Sequence, residues 1–560
     1  MSVDEPRPPE PPALVDAAAA AATGAAAAAP AGPAVPVTGA GKGVLYIAVA
    51  KLYFMIVGAV IEFRLTAILS RTVFGAYGVV ASVVSPFNNV MVTGSIQAVS
   101  RFTAQKPESA RAVEAAGLRM HLWVGLPLAL IVIASAPLVA WLMKDSSKVA
   151  PLMLAGTIIA AYAFYAVMVG TANGLRMFKR QAQLDMTSAT LRAVGILGLA
   201  TFGFGVVGAY AGWVTAAFAI LIISAFVIGL PGKVAAADRV PTRPMIRYFA
   251  RVAVYLILLN LIMFCDQLLL KRLTHTWYED HGPWLAHGLD HAVPWAKGVT
   301  GFALDPSDLA DVQVAYYRAV QNLARLSYQA IIAATFVVFP LVSRSTFEDD
   351  HDTTRRYIRI TVRYSLIFAT ALAVVMAANP QPLLDIPYAD DYAALGAPAL
   401  TSLALGNVAF SVFAIAGTVL NGAGYTRDAI ISAAVTLTVA VVGNLIVIPR
   451  FAPGRDVLLA AATTTAIAML IGAGVAGFFL HRRLGAFLPV KTVVRVVIAV
   501  VAAMAVGRLI PWTRPLPTLI EAAIVGLTFL TVLIITRELG KADLASIRSV
   551  RAKRGTGSES

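Results

Sequence analysis

Long hydrophobic stretches alternate with short polar segments from residue 44 to residue 536. A transmembrane helix needs about 20 mostly apolar residues, and fourteen stretches of this kind can be placed along the chain. The pattern therefore predicts an all-α, polytopic membrane protein. The predicted spans are 44–66, 77–99, 121–143, 150–172, 188–206, 208–230, 249–273, 313–341, 361–378, 395–420, 429–448, 457–480, 493–510 and 519–536.

The two ends of the chain lack this pattern. Residues 1–42 are rich in Pro and Ala, and three acidic residues precede position 11 against a single arginine. A secretory signal peptide would begin with a basic segment, so we interpret residues 1–42 as a disordered tail. Residues 538–560 form a second, basic tail.

The composition supports a membrane protein. Hydrophobic residues make up 58% of the chain, charged residues 13%, and the mean hydropathy is +0.76. Soluble domains are about one quarter charged. An ordinary soluble enzyme, a nucleic-acid-binding domain and a disordered chain are therefore excluded.

The net charge of +15 follows the predicted topology. Of 45 Lys and Arg residues, 31 fall in the tails and even-numbered connections, with Arg192 counted in the connection before the fifth span, and 10 fall in the odd-numbered connections. Basic residues accumulate on the cytoplasmic side of membrane proteins. The count places both termini in the cytoplasm and explains the basic excess without a nucleic-acid partner.

Two short sequence motifs recur in the same order in the two halves of the chain. A Ser-Arg pair begins at Ser100 after span two and again at Ser343 after span eight. An Asn-Gly pair then follows in each half, at Asn173 in the first and at Asn421 in the second. The separations are 73 and 78 residues. Transporters are often built from such repeats. We predict two parallel-related six-helix bundles, 43–231 and 247–480, with two helices in 490–537 appended.

Several segments resemble polysaccharide exporters, the Wzx-type lipid-linked oligosaccharide flippases and their relatives. They are Arg71–Val79 (RTVFGAYGV), Gly94–Ala104 (GSIQAVSRFTA) and the turns NGLRMFKR and NGAGYTRD. The resemblance covers roughly residues 43–537. The same superfamily holds the lipid II flippase and the multidrug and toxin extruders.

The resemblance implies a V-shaped pair of bundles around a cavity that opens alternately to each side of a bacterial inner membrane. Its cargo would be an undecaprenyl-pyrophosphate-linked oligosaccharide, moved from the cytoplasmic to the outer leaflet for surface polysaccharide biosynthesis. The implied partners are this glycolipid, membrane lipid, glycosyltransferases and a glycan polymerase. No cofactor and no enzymatic step is implied.

Four basic residues remain inside the predicted spans: Lys51 and Arg64 in the first, Arg318 and Arg325 in the eighth. Buried charges are costly and tend to face a functional cavity. Arg318 and Arg325 are seven residues apart, which puts them within about 20° of one helix face. The planar guanidinium group of arginine donates paired hydrogen bonds to phosphate oxygens. We therefore predict that these four basic residues bind the pyrophosphate. The alternative is that Lys51 and Arg64 extend to the interfaces.

Two acids and a proline add further expectations. Glu62 and Asp266 are candidates for coupling transport to Na⁺ or H⁺, although Glu62 could instead neutralise a nearby base. In span two, Pro86 removes a backbone hydrogen bond and predicts a kink, beside Asn88 and Asn89. This kink would suit a gate, or equally static packing.

The longest outer segment, 274–311, holds four of the seven histidines. Their spacings match no zinc pattern and there is no HExxH motif, so we predict no metal site there. No phosphate-binding GxxxxGK[ST] loop occurs in the chain either,. Two alternatives to the flippase remain: a cation-coupled multidrug extruder, for which an acidic cavity is expected, and a membrane-embedded glycan polymerase or ligase.

Overall fold

The computed structural model describes residues 40–233, 239–281, 305–329 and 351–540, apart from residues 389, 424, 511 and 513. Within these ranges the chain forms α-helices joined by short turns, and it contains no β-strand. The all-α prediction is confirmed.

The described residues form sixteen α-helices. Those of the first bundle are α1 (Ala40–Ile68), α2 (Arg71–Gln105), α3 (Ala110–Trp123), α4 (Gly125–Leu142), α5 (Val149–Gly174), α6 (Phe178–Thr201) and α7 (Gly205–Ile228). Those of the second bundle are α8 (Thr242–Asp280), α9 (Pro306–Ala324), α10 (His351–Ala378), α11 (Pro380–Asp385), α12 (Asp390–Gly422), α13 (Thr426–Val447) and α14 (Arg455–Leu484). The last two are α15 (Val490–Leu509) and α16 (Pro515–Ile535).

Twelve segments of the described chain are long and apolar enough to cross a membrane, with α3 and α4 together forming one of them. The remaining long helices, α6 and α9, lie at the fifth and eighth predicted spans but carry more polar residues. With these two, the long helices match the fourteen predicted spans. The eighth span is described only as far as residue 329.

Helix boundaries follow from local chemistry. The hydroxyl of Ser70 accepts a hydrogen bond from the Val73 amide, 3.4 Å away, at the start of α2,. The third predicted span is broken at Val124 into α3 and α4. Pro127 explains the break, because it lacks the N–H that would bind the carbonyl of Trp123.

The two bundles repeat one packing arrangement. In the first bundle, α1 packs on α6, α2 and α4 pack on α5, and α7 packs on both α5 and α6. In the second bundle, α8 packs on α13, α9 and α10 pack on α12, and α14 packs on both α12 and α13. Each pair occupies the same place in its half, as the internal repeat predicts. Helices α15 and α16 pack against α10.

The outer surface of the molecule is apolar. Helix α1, for example, exposes a row of large hydrophobic residues spaced four or seven apart: Leu45, Val49, Ile56 and Val60. This spacing places them on one helix face. A soluble protein rarely exposes so much contiguous apolar surface, so these faces are suited to contact with lipid.

The bundles meet where α2 packs against α8 and α9. Gly75 of α2 permits the closest approach, because a Cβ there would lie 1.7 Å from the carbonyl oxygen of Asp311 in α9. We define the distal end of the molecule as the end where α1 finishes and α2 begins. The proximal end is the opposite one, where α2 finishes at Gln105.

Candidate binding cavity between the bundles

A cavity of about 510 Å³ lies between the two bundles. Its wall comes from α1, α2, α5, α6 and α7 of the first bundle and from α8, α9 and the residues after α9 in the second. Along α2 the lining runs from Tyr77, near the distal end, to Ile96, nearer the proximal end. The charged residues of the lining are Lys51, Arg192, Arg318, Arg325, Glu62 and Asp185.

Arg318 pairs with Glu62 across the boundary between the bundles. Arg318 Nε donates to Glu62 Oε2 at 3.0 Å, and Arg318 Nη2 donates to Glu62 Oε1 at 2.6 Å. Asn322 Nδ2 also donates to Glu62 Oε2, at 3.0 Å. Such a two-pronged contact is the strong geometry of an arginine–carboxylate pair. Glu62 therefore pairs with a base, and its coupling to Na⁺ or H⁺ stays a prediction.

Arg325 also lines the cavity but has no carboxylate within ion-pair distance among the described residues. Its Nη2 donates to the carbonyl of Met263 and, at 3.0 Å, to Gln321 Oε1. The guanidinium lies over the ring of Phe264, 4.6 Å from its centre. Arg318 and Arg325 therefore face one cavity, as their spacing of seven predicts.

The two basic residues predicted in α1 lie in different places. Lys51 lines the cavity and its Nζ lies 2.9 Å from Asp185 Oδ2 of α6. Arg64 is exposed and is not among the lining residues. Arg64 follows Glu62 by two residues, about 200° around the helix, so it cannot share the face of Glu62. The structure does not bring Arg64 together with the other three.

Sequence reasoning missed two charged lining residues, Asp185 and Arg192, both of α6. Arg192 is the fifteenth residue of α6, about 21 Å along the helix axis,. The predicted fifth span begins at residue 188, whereas α6 begins at Phe178. The sequence pattern therefore places Arg192 with the polar connection before the span. The polar character of the first turns of α6 hid them from a hydropathy pattern.

The charges of the lining do not balance. Four of the lining residues are cationic and two are carboxylates, which gives a formal charge of +2. A cavity inside a membrane protein with excess positive charge favours an anionic ligand.

Asp266 lies outside the cavity, in the core of the second bundle. Its Oδ2 accepts hydrogen bonds from Tyr317 Oη and Gln321 Nε2, each at 2.8 Å, and from Thr465 Oγ1 at 3.3 Å. Thr465 Oγ1 also accepts from Asn444 Nδ2 at 3.3 Å, and the buried Asn444 Oδ1 has no hydrogen-bond partner. Gln321 thus joins this cluster to Arg325 in the cavity wall.

The predicted gate residues lie at the seam between the bundles. Pro86 is buried within α2, which continues on both sides of it. Asn89 Nδ2 donates to Asn260 Oδ1 of α8 at 2.8 Å. Asn88 lines the cavity, and its buried Oδ1 has no hydrogen-bond partner.

Four buried charges close the distal end. This distal cluster consists of Asp145 and Lys148 from the first bundle and Lys271 and Asp311 from the second. Asp311 is 2.6 Å from Lys148 Nζ and 2.8 Å from Lys271 Nζ. Burial opposes ionisation of Asp145, but Lys148 and Lys271 outweigh it and hold the pKa of this carboxyl well below its usual range,.

Two further ion pairs lie at the same end. Arg71 of α2 contacts Asp391 of α12, which also accepts a hydrogen bond from Tyr316 Oη at 2.8 Å. Lys144 contacts Glu279 of α8. Both pairs join the first bundle to the second, so the distal end is closed by contacts between the bundles.

The histidine-rich segment is described only at its two ends. Residues 282–304, which hold two of its four histidines, lie outside the described ranges. His281 stacks on Trp277 with ring centres 4.2 Å apart. In the part of the chain that the structure describes, no group of three His, Cys, Asp or Glu residues is arranged to hold a metal ion.

Fold and cavity together define a class: a multi-pass membrane protein of two repeated bundles, each with six long helical segments, and a charged cavity between the bundles. Within this class, the polysaccharide biosynthesis protein family matches residues 40–346, more than half of the chain. The chain belongs to this family. The MatE family matches residues 307–446, in the second bundle. A comparison with curated proteins gives no match.

Solved structures show the same fold. The chain is similar to the lipid II flippase MurJ in an inward closed conformation, with a TM-score of 0.66 and 14% identity over 89% of this chain and 99% of that one. It is also similar to a MOP superfamily transporter from Pyrococcus furiosus and to a MATE protein in the straight conformation, with TM-scores of 0.56 and 0.55. Each is 14% identical and covers 79% of this chain and 96% of its own.

Proposed function

We propose that this protein is a flippase that moves an undecaprenyl-pyrophosphate-linked oligosaccharide from the cytoplasmic to the outer leaflet of a bacterial inner membrane. The observation that carries the proposal is the excess of two positive charges in a cavity between the bundles. A sugar-linked polyprenyl pyrophosphate carries about two negative charges, and moving them unpaired through hydrocarbon would be prohibitive. Membership of the polysaccharide biosynthesis protein family supports a glycan-linked cargo.

In this proposal, Arg318, Arg325 and Lys51 contact the pyrophosphate. Arg318 and Lys51 are each paired with a carboxylate, Glu62 and Asp185 respectively. These pairs keep buried cations compensated when no cargo is present. A phosphate oxygen then competes with the carboxylate for the guanidinium, and the whole process is non-covalent.

The closed distal end supports transport by alternating access. If the proximal end is cytoplasmic, as the distribution of Lys and Arg indicates,, the distal cluster closes the outer side while the cavity receives cargo. Glycosyltransferases would supply the cargo at the proximal side and a glycan polymerase would consume it at the other. Opening must separate Asp145 and Lys148 from Lys271 and Asp311.

We further propose that Asp266 couples the cycle to Na⁺ or H⁺. Its carboxylate accepts a hydrogen bond from the hydroxyl of Thr465, which accepts one from Asn444. Carboxylate and hydroxyl oxygens bind Na⁺, and a carboxylate can receive a proton. Gln321 contacts both Asp266 and Arg325. Ion binding at Asp266 can therefore alter the cargo cavity through one side chain.

The test is transbilayer movement in proteoliposomes that contain the full chain. A fluorescent oligosaccharide linked to polyprenyl pyrophosphate is placed in both leaflets, and the fraction that an external quencher reaches is followed over time. We expect complete quenching with the protein and about half without it. Retention of the protein-free level, together with transport of a cationic drug by the same vesicles, would instead establish the extruder.

A further inference from the structure

The cavity contains one cation with neither a carboxylate nor any other hydrogen-bond acceptor among the described residues: Arg192 of α6. Its guanidinium lies between two aromatic rings, 4.7 Å from the centre of Phe54 and 5.6 Å from the centre of Trp213. Its Nε is buried and has no hydrogen-bond partner. The other three cavity cations donate to Asp185, Glu62 or Gln321.

An unmatched guanidinium is costly at this depth. A buried donor without a partner forfeits about 1–3 kcal/mol, more if it is charged. Cation–π contacts with two rings recover part of the electrostatic loss but satisfy none of the N–H groups. The arrangement therefore holds the guanidinium in place while its donors stay free for an acceptor that enters the cavity.

The wall beside Arg192 leaves room for that acceptor. A Cβ at Gly58 of α1 would be 3.5 Å from Arg192 Nη2, and glycine presents no side chain there. Glu62 follows Gly58 by one helical turn on the same face, about 6 Å along the axis. Arg192 and the Arg318–Glu62 pair therefore face the cavity one turn of α1 apart.

We propose that Arg192 forms an anion site that receives a phosphate group of the cargo before any ion pair of the cavity is broken. This inference rests on the proposed function, which it deepens by assigning the first phosphate contact. Arg192 binds an oxyanion without displacing a carboxylate, whereas Arg318 and Lys51 must exchange one. The adjacent phosphate of a pyrophosphate then lies within reach of Arg318.

The experiment measures the binding of farnesyl diphosphate and of farnesol to the full chain in lipid nanodiscs. Arg192→Met keeps a straight stem between the two rings but has no donor, and Arg192→Lys keeps a cation. Lys179→Met, at an exposed position in the first turn of the same helix, is the matched control for charge. Thermal unfolding of each variant without ligand verifies that the fold is retained.

We expect Arg192→Met to weaken the diphosphate about 10- to 100-fold, as expected for the loss of a charged hydrogen bond. Arg192→Lys should retain part of the affinity, and farnesol binding should not change. Diphosphate binding equal to wild type in Arg192→Met would overturn this inference and leave the proposed function standing. If the wild-type chain does not prefer the diphosphate to farnesol, the proposed function fails and the inference with it.

If Arg192→Met does not fold, Phe54→Leu replaces it as the informative variant. This substitution removes one ring but leaves the guanidinium, so diphosphate affinity should persist, and it should then fall in Phe54→Leu combined with Arg192→Lys, which lacks the planar fork of donors. A double variant that binds the diphosphate as tightly as Phe54→Leu alone would overturn the assignment.

Discussion

The guanidinium of Arg318 and the carboxylate of Glu62 form a two-pronged contact between the bundles, with N–O distances of 2.6 and 3.0 Å. Arg318 comes from α9 and Glu62 from α1, 256 residues away in sequence. The contact occupies the arginine edge that a phosphate would use. In the proposed function, Glu62 therefore competes with the cargo phosphate for Arg318.

Glu62→Gln should bind farnesyl diphosphate more tightly than wild type, by about tenfold, because a neutral amide competes less well for Arg318. Release should slow accordingly, so transport should fall although binding improves. Titration of the purified variant measures the affinity. Glu279→Gln, which alters an exposed carboxylate at the distal end, should leave the affinity unchanged, and weaker binding by Glu62→Gln would contradict the competition.

Asp311→Asn should open the distal end. Asp311 is buried and contacts both Lys148 and Lys271, and removing one partner from a buried ion pair costs about 3–5 kcal/mol. Maleimide labelling of Leu309→Cys, in a Cys265→Ser background, reports access to this interface. Labelling should accelerate in Asp311→Asn and stay slow in Lys144→Met, because the Lys144–Glu279 pair is exposed and contributes little,. Equal labelling rates in Leu309→Cys alone and in its combinations with Asp311→Asn and Lys144→Met would show that the distal cluster does not keep the distal end closed.

The pH dependence of distal closure follows from Asp145. Its pKa in the closed state lies below the ordinary value of about 3.9,. Its contribution is complete above that ordinary value and is lost only as the pH falls through the lowered pKa. Because maleimide reacts with the thiolate, the labelling rate of Leu309→Cys is divided at each pH by the rate for a free thiol, and this ratio should be equally low at pH 8, 6 and 5. Opening between pH 8 and 5 would exclude Asp145 as the titrating group.

Asp266→Asn should separate ion coupling from cargo binding. The asparagine keeps a similar shape and can still accept a hydrogen bond from Tyr317, but it has no charge to hold Na⁺ or exchange a proton. Farnesyl diphosphate should still bind, since Asp266 does not line the cavity, but its affinity should no longer change with Na⁺ concentration or pH. Transport should lose its response to a Na⁺ or H⁺ gradient. A variant that still responds to both gradients would place coupling elsewhere.

Much of this fold is encoded in short-range pattern. The hydrophobic stretches predict the long helices because each helix depends on residues near each other in sequence. The recurrence of Ser100 and Asn173 at Ser343 and Asn421 predicts the repeat because the same pattern occurs twice along the chain. The shared face of Arg318 and Arg325 likewise follows from helix geometry alone.

The partners of the cavity charges could not be predicted in this way. Lys51 pairs with Asp185, 134 residues away, and Glu62 pairs with Arg318 rather than with a base in its own helix. Such contacts depend on how the bundles pack, which one sequence does not reveal. Arg192 was missed for a different reason. The polar residues of α6 lower its mean hydropathy, so a hydropathy pattern places the start of this helix several residues too late.

The most direct test of the central claim is the rate of pyrophosphate-linked oligosaccharide flipping by the Arg318→Ala/Arg325→Ala double variant in proteoliposomes. The account predicts loss of flipping in a folded protein, partial activity when both positions are Lys, and unchanged activity in Arg64→Ala, which alters an exposed arginine outside the cavity. Flipping by the double alanine variant at the wild-type rate would contradict the account.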